Sequence, residues 1–285
     1  MYSSRFYNID QIIKDYSKQK SDTICLIFEN LDKNFSEQLT YKEFDNYISK
    51  ASNYLKSKNI QSETKILISI PNSLVFLVFL FACFRTGIVG VTANPNLTDR
   101  ELAYQYKKSD SKFLISMFEK SNITSNNLII NSDSLSDLDN LLSNQSTTFT
   151  GTLVKPDMDA TILFTSGTTN LPKGVISTNH SYLNKISNVS KHLKMTAKDR
   201  HYLTLPIFHT NGQYSLLAVL SVGGSAVITS RFSTTQYFEI AKKHDVTLST
   251  LFASTIRMLL LSQNTLFHNN NKLRLIMFAQ SVSQS

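Results

Sequence analysis

The chain has 285 residues, enough for a large buried core and, on length alone, about two domains. Its 29 Lys and Arg outnumber 21 Asp and Glu for a formal net charge of +8, but the basic residues are dispersed and no aromatic-basic module accompanies them, which argues against a nucleic-acid binder. Two cysteines, Cys25 and Cys83, with no CxxC pair and no paired histidines, exclude a disulfide scaffold, argue against a zinc site and suit a reducing, cytoplasmic setting.

The start, "MYSSRFYNIDQIIKDYSKQK", has no basic stretch followed by an apolar one, so no secretory signal is expected. In "LTYKEFDNYISKASNYLKSK", Phe44, Ile48, Ala51 and Leu55 recur at helical spacing and predict an amphipathic helix. "KILISI" from Lys65 predicts a buried strand, Asn72 to Arg85 a helix, and "GIVGVTA" from Gly87 a second strand ending near Pro95. Within that helix "LVFLVFLFACF", Leu74 to Phe84, is the most apolar stretch; it falls short of the roughly 20 residues a membrane span needs and is expected in the core. "TDRE", Thr98 to Glu101, has the form of a capping box, so a helix should run to about Asp110, followed by short strands in "KFLIS" and "NLIIN".

Residues 133–159 are rich in Ser, Asn, Asp and Thr, and they suggest two α/β subdomains, 1–150 and 151–285. Beyond them strands are expected near Ala160 to Thr165, His201 to Leu205, Ser225 to Thr229, Thr247 to Phe252 and Leu273 to Phe278. Helices lie between, one opened by a second capping box, "STTQ", at Ser233 to Gln236. Alternating strands and helices give an α/β fold of mostly parallel sheets with right-handed crossovers.

"TILFTSGTTNLPKGVIST", Thr161 to Thr178, sets hydroxyls, two glycines and a lysine in a turn just after an apolar strand. In such sheets ligands gather at the carboxyl ends of strands. Flexible glycines, inward backbone N–H groups and hydroxyl donors around Lys173 suit a polyphosphate. Taken alone the stretch is also compatible with a polar surface turn punctuated by Pro and Gly. It is not a Walker loop, because counting from Gly167 the second glycine position holds Pro172 and Gly174 follows Lys173.

"TSGTTNLPKG", together with "LTYKEF" at Leu39, "NPNLTDREL" at Asn94 and "LPIFHTNG" at Leu205, resembles the adenylate-forming superfamily of acyl-CoA and aryl-CoA synthetases, luciferases and peptide-synthetase adenylation domains. The stretch from Leu205 to Leu260 looks most like carnitine- and crotonobetaine-CoA ligases and their fatty-acyl relatives. The resemblance implies that a carboxylate attacks the α-phosphate of ATP, releasing pyrophosphate, and that coenzyme A then takes the acyl group. It assigns Thr165, Ser166, Gly167, Thr168, Thr169, Lys173 and Gly174 to ATP and the leaving pyrophosphate, alongside Mg²⁺. His209, with Asn211 and Gly212, falls at the acid pocket, where it would orient the carboxylate or gate the acyl channel. The substrate implied is a small organic acid, carnitine-like or fatty.

His180, His192, His201, His244 and His268 show no metal spacing and are assigned nothing, and the apolar set from Leu216 to Val222 is expected in a helix core. The pattern departs at Asn170, where the family has glycine, and after "LRLIMF", where "AQSVSQS" ends the sequence before the family's Mg²⁺-binding glutamate, ribose-binding aspartate and mobile C-terminal domain. The expectation is therefore the N-terminal part of an adenylate-forming fold, incomplete at its C-terminus and inactive alone. Two alternatives stand beside it: a split enzyme completed by a separate C-terminal polypeptide, and a non-catalytic ATP- or acyl-binding protein.

Overall fold

The computed structural model describes residues 5–118, 123, 127–130, 133–151, 153–165, 171–262 and 272–278. Helix α1 (Ile9–Gln19) buries Ile9, Ile12, Ile13 and Tyr16, and Asn8 Oδ1 accepts the Gln11 amide at its start. The antiparallel pair β1 (Ile24–Asn30) and β2 (Phe35–Thr40) leads into α2 (Tyr41–Ser57), which opens at a capping box of Thr40 and Glu43. Next come β3 (Lys65–Ser69), α3 (Leu74–Thr86) and β4 (Val89–Thr92). Every residue of α3 is buried, as expected of a helix apolar on all sides. The expected capping box holds at α4 (Asp99–Lys108), where Thr98 Oγ1 accepts the Glu101 amide and Glu101 reaches back to the Thr98 amide. β5 (Phe113–Ser116), β6 (Asn127–Ile129) and α5 (Leu135–Leu141) follow.

The remaining described elements are β7 (Asp159–Thr165), β8 (Lys173–Thr178), α6 (Asn179–His192), β9 (Arg200–Leu203), α7 (Thr210–Ser221), β10 (Ser225–Thr229), α8 (Tyr237–Lys243), β11 (Leu248–Leu251), α9 (Ala253–Leu261) and β12 (Leu275–Phe278). Two expectations need correcting. The stretch after the phosphate-loop turn is not turn throughout: Lys173 to Thr178 form β8, antiparallel to β7. The "STTQ" box does not open a helix directly. The Gln236 amide reaches Ser233 Oγ at 3.4 Å within a turn, and α8 begins only at Tyr237 with no side-chain cap.

The strands form two six-stranded sheets, ordered β12-β11-β9-β10-β1-β2 and β6-β5-β3-β4-β7-β8. Each is parallel except for one antiparallel edge strand, β2 in the first and β8 in the second. The expectation of mostly parallel sheets flanked by helices is met, with mixed edges. Sheet membership crosses residue 150 in both directions: β1 and β2 join strands from beyond residue 199, while β7 and β8 join β3 to β6, so the sheets and the two sequence halves are different divisions.

Strand periodicity explains the layers. Leu26 and Phe28 of β1, Ala226 and Ile228 of β10, and Ile66 and Ile68 of β3 share one core with α1, α2, α3, α6 and α7. Their neighbours turn outward. Ile27 and Val227 meet Tyr237 and Ile240 of α8, and Leu67 meets Leu102 of α4. The helices of the main core are thus sandwiched between the sheets, with α8 and α9 outside the first and α4 outside the second. No described helix is long and apolar enough to cross a membrane.

Candidate functional site

The phosphate-loop stretch is the β7–β8 hairpin. Its strands pair Thr165 with Lys173 and Phe164 with Gly174, at the carboxyl end of β7 in the parallel part of the sheet. Thr165, Lys173 and Gly174 are exposed, whereas Ser166, Gly167, Thr168, Thr169 and Asn170 lie outside the described residues. Gly174 lies close on the paired strand, where an added Cβ would stand 3.0 Å from Ile162 Cγ2 and push that side chain aside. Tyr104 of α4 braces the hairpin, donating its hydroxyl to the Pro172 carbonyl at 3.1 Å and setting its ring edge-on to Phe164.

His209, Asn211 and Gly212 sit at the opposite sheet's carboxyl end, His209 closing the turn that follows β9 and Asn211 and Gly212 in the first turn of α7. His209 is the N-cap residue of α7 in extended conformation, and its ring lies 4.8 Å from that of Phe208. Partial burial lowers its pKa below the ordinary histidine value, so the neutral imidazole is favoured near pH 7. A neutral ring can orient a carboxylate by hydrogen bonding without supplying a fixed charge. Asn211 is exposed. Gly212 is buried where the helix start runs against the turn: an added Cβ would stand 2.5 Å from the Pro206 carbonyl oxygen.

The turn is held by side chains from the other sheet. Asn72, after β3, donates its amide to the carbonyls of Leu205 at 3.5 Å and Thr229 at 3.2 Å, and accepts from the Ile207 amide at 3.0 Å. Thr92, at the end of β4, donates to the Phe208 carbonyl at 2.8 Å. Gln213 of α7 donates to Thr92 Oγ1 and to the Ile207 carbonyl, and its Oε1 accepts from Tyr182 of α6 at 2.5 Å. Tyr182 is itself paired with Thr161 of β7 at 2.9 Å. The hairpin strand and the His209 turn are therefore connected through buried polar groups. Sequence inspection missed Asn72, Thr92, Tyr182 and Gln213. None of the four stands out in the sequence, since Gln213 falls in the polar first turn of α7 ahead of the apolar run from Leu216.

The donor chemistry of the exposed Thr165 hydroxyl and Lys173 ammonium fits a polyphosphate. Among the described residues no group of three His, Cys, Asp or Glu side chains gathers, and no residue here is named for Mg²⁺.

The fold is an α/β domain that sets this hairpin and the His209 turn at strand carboxyl ends, where ligands gather in such sheets. The chain belongs to the AMP-binding enzyme family, whose model matches residues 13–285. It is similar to oxalate–CoA ligase of Arabidopsis thaliana, 28% identical over 93% of this chain and 56% of that protein. It is also similar to crotonobetaine/carnitine–CoA ligase of Salmonella agona, 24% identical over 97% of this chain and 57% of that one. The expected leaning toward carnitine ligases is thus not singled out, because another acid–CoA ligase matches as well. Its fold superposes on the inhibitor-bound N-terminal domain of FACL13 from Mycobacterium tuberculosis with a TM-score of 0.83 at 17% identity, covering 96% of this chain and 70% of that one. The chain spans about half the length of the curated relatives it matches.

Proposed function

We propose that the chain supplies the ATP-handling part of an acid–CoA ligase. A carboxylate oxygen of a small organic acid attacks the α-phosphorus of ATP, a C(O)–O–P bond forms, and the α–β anhydride breaks with its electron pair leaving on pyrophosphate. Coenzyme A is the thiol that then takes the acyl group in a protein of the relatives' full length. Mg²⁺ belongs to the same chemistry and would shield the phosphates.

One observation carries this proposal: within a chain of the AMP-binding family, Thr165 and Lys173 are register partners on an exposed hairpin at the carboxyl end of a parallel sheet. Charge grows on the departing pyrophosphate, and donors fixed there before the reaction lower its barrier. Ser166, Gly167, Thr168 and Thr169 extend the donor set, and Gly174 lets β8 lie close on β7. His209, with Asn211 and Gly212 beside it, orients the acid. Carnitine-like and fatty acids are the narrower substrate choice, and the cytoplasm is the setting that suits two free, buried cysteines.

The test is acid-dependent exchange of labelled pyrophosphate into ATP by the purified chain, with oxalate, carnitine-like, short-chain and long-chain acids. Against the expectation of a chain inactive alone, this proposal requires exchange with at least one acid, or ATP binding where exchange needs the rest of a full-length ligase, and Lys173→Ala should lower whichever is seen on the order of 100-fold while leaving the unfolding midpoint unchanged. Full exchange in Lys173→Ala removes Lys173 from the site. Absence of both exchange and ATP binding in a folded chain overturns the proposal.

A further inference from the structure

We propose that Gln213 and Tyr182 are positioning residues, which with Thr161 and Thr92 form one directed hydrogen-bond relay that holds the His209 turn in register with the β7–β8 hairpin. The inference rests on the proposed function, since it assigns the hairpin to ATP and the turn to the acid.

The direction of the relay follows from its acceptors. The Ile207 carbonyl can only accept, so the Gln213 amide nitrogen faces it at 3.0 Å and Gln213 Oε1 is left to accept from the Tyr182 hydroxyl. Tyr182 has one hydrogen, spent on Gln213, so Thr161 donates to the Tyr182 oxygen. The second Gln213 hydrogen goes to Thr92 Oγ1 at 3.2 Å, and the Thr92 hydrogen goes to the Phe208 carbonyl, again an acceptor only. Thr161, Tyr182, Gln213 and Thr92 are all buried. The sequence Thr161→Tyr182→Gln213→Thr92→Phe208 leaves no member with a free hydrogen, and its last bond grips the peptide group leading into His209.

Packing alone does not call for this arrangement. Burying an amide and the hydroxyls around it carries a desolvation cost that only the full set of bonds to Tyr182, Thr92 and the Ile207 carbonyl offsets. A fully satisfied polar chain fixes one geometry where apolar contacts tolerate several. The groups it spans are the strand that ends in Thr165 and the peptide that precedes His209, the two halves of the site.

The experiment uses shape-conserving variants in the pyrophosphate-exchange assay. Thr92→Val removes the hydroxyl and Thr92→Ser keeps it, while Tyr182→Phe breaks the relay on the side of the hairpin. In Thr92→Val and Tyr182→Phe the KM for the acid is expected to rise at least tenfold with the KM for ATP within threefold of the parent, and Thr92→Ser should return the acid KM to within threefold. An unchanged acid KM in Thr92→Val overturns the relay. So does a parallel rise of both KM values that tracks a loss of thermal stability, the mark of a merely structural role.

If the parent chain shows no exchange, the functional assignment fails by itself and the relay is decided by NMR. The His209 ring resonance, identified by its loss in His209→Gln, should move in Thr92→Val and Tyr182→Phe and stay in Thr92→Ser. A resonance that stays in all three overturns the relay.

Discussion

His201 is a buried histidine of β9 whose Nε2 meets Thr250 Oγ1 at 2.8 Å. Burial pushes its pKa down to about 4, with Asp199 pulling weakly the other way. The folded value lies below the ordinary 6.5, so as pH falls the unfolded chain takes up the proton first. Stability from this group is complete above pH 6.5 and is lost between there and about 4, on the order of 3 kcal/mol in all. Urea unfolding at pH 7, 5.5 and 4 should show the decline, and His201→Gln should flatten it; an equal slope in the variant would assign the acid sensitivity to other groups. Gly212 makes a steric prediction at the same scale. Gly212→Ala forces a methyl group against the Pro206 carbonyl, so the turn must shift or the helix start must move. Overpacking of this kind costs about 1–3 kcal/mol, which urea unfolding measures directly.

Among elements, the junction of α1, α2 and α3 turns on Arg85. It ends an otherwise apolar helix, and its buried guanidinium donates to Asp10 of α1 at 2.8 Å and to Asp45 and Ser49 of α2 at 2.6 and 2.7 Å. Arg85→Met takes away the buried cation that Asp10 and Asp45 share and leaves Asp10 only the half-exposed Lys14 at 2.8 Å, a loss of about 3–5 kcal/mol in unfolding free energy. If instead the variant unfolds within 1 kcal/mol of the parent, roughly the worth of a surface pair, the junction is held by apolar packing alone. The apolar run of α3, the helical spacing in α2, the capping box of α4 and the strands β3, β4 and β10 were legible because each is a local pattern. β8 was not, since "KGVIST" combines a lysine, a glycine and an exposed face, and its strand character comes from pairing with β7. The "STTQ" box misplaced α8 because the Gln236 amide donates to Ser233 Oγ in a turn that stops short of the helix. For the site, the hairpin residues and His209 could be picked out by type and spacing. The groups that hold them could not, because Thr92 and Gln213 are 121 positions apart and Asn72 and Ile207 are 135 apart.

At the scale of the whole molecule, two sheets share one helical core, and their carboxyl ends must keep a fixed relation if ATP and acid are to meet. The relay supplies one tie and Asn72 another. Asn72 follows β3 in one sheet, yet its side chain satisfies two carbonyls and one amide of the other, at the ends of β9 and β10. Asn72→Ala removes all three bonds and orphans the buried groups, a cost of about 1–3 kcal/mol. Global stability alone would not show that the joint is local. Amide exchange at Ile207 does, because that N–H has Asn72 Oδ1 as its acceptor. In Asn72→Ala the Ile207 amide should exchange at least tenfold faster while amides in the centre of β10 keep their rates. Asn72→Asp keeps an acceptor for Ile207 and loses the donors to Leu205 and Thr229, so it should leave Ile207 protected. If Ile207 stays protected in Asn72→Ala as well, Thr92 and Gln213 hold the turn by themselves, and the relay is the tie that sets the two sheets against each other.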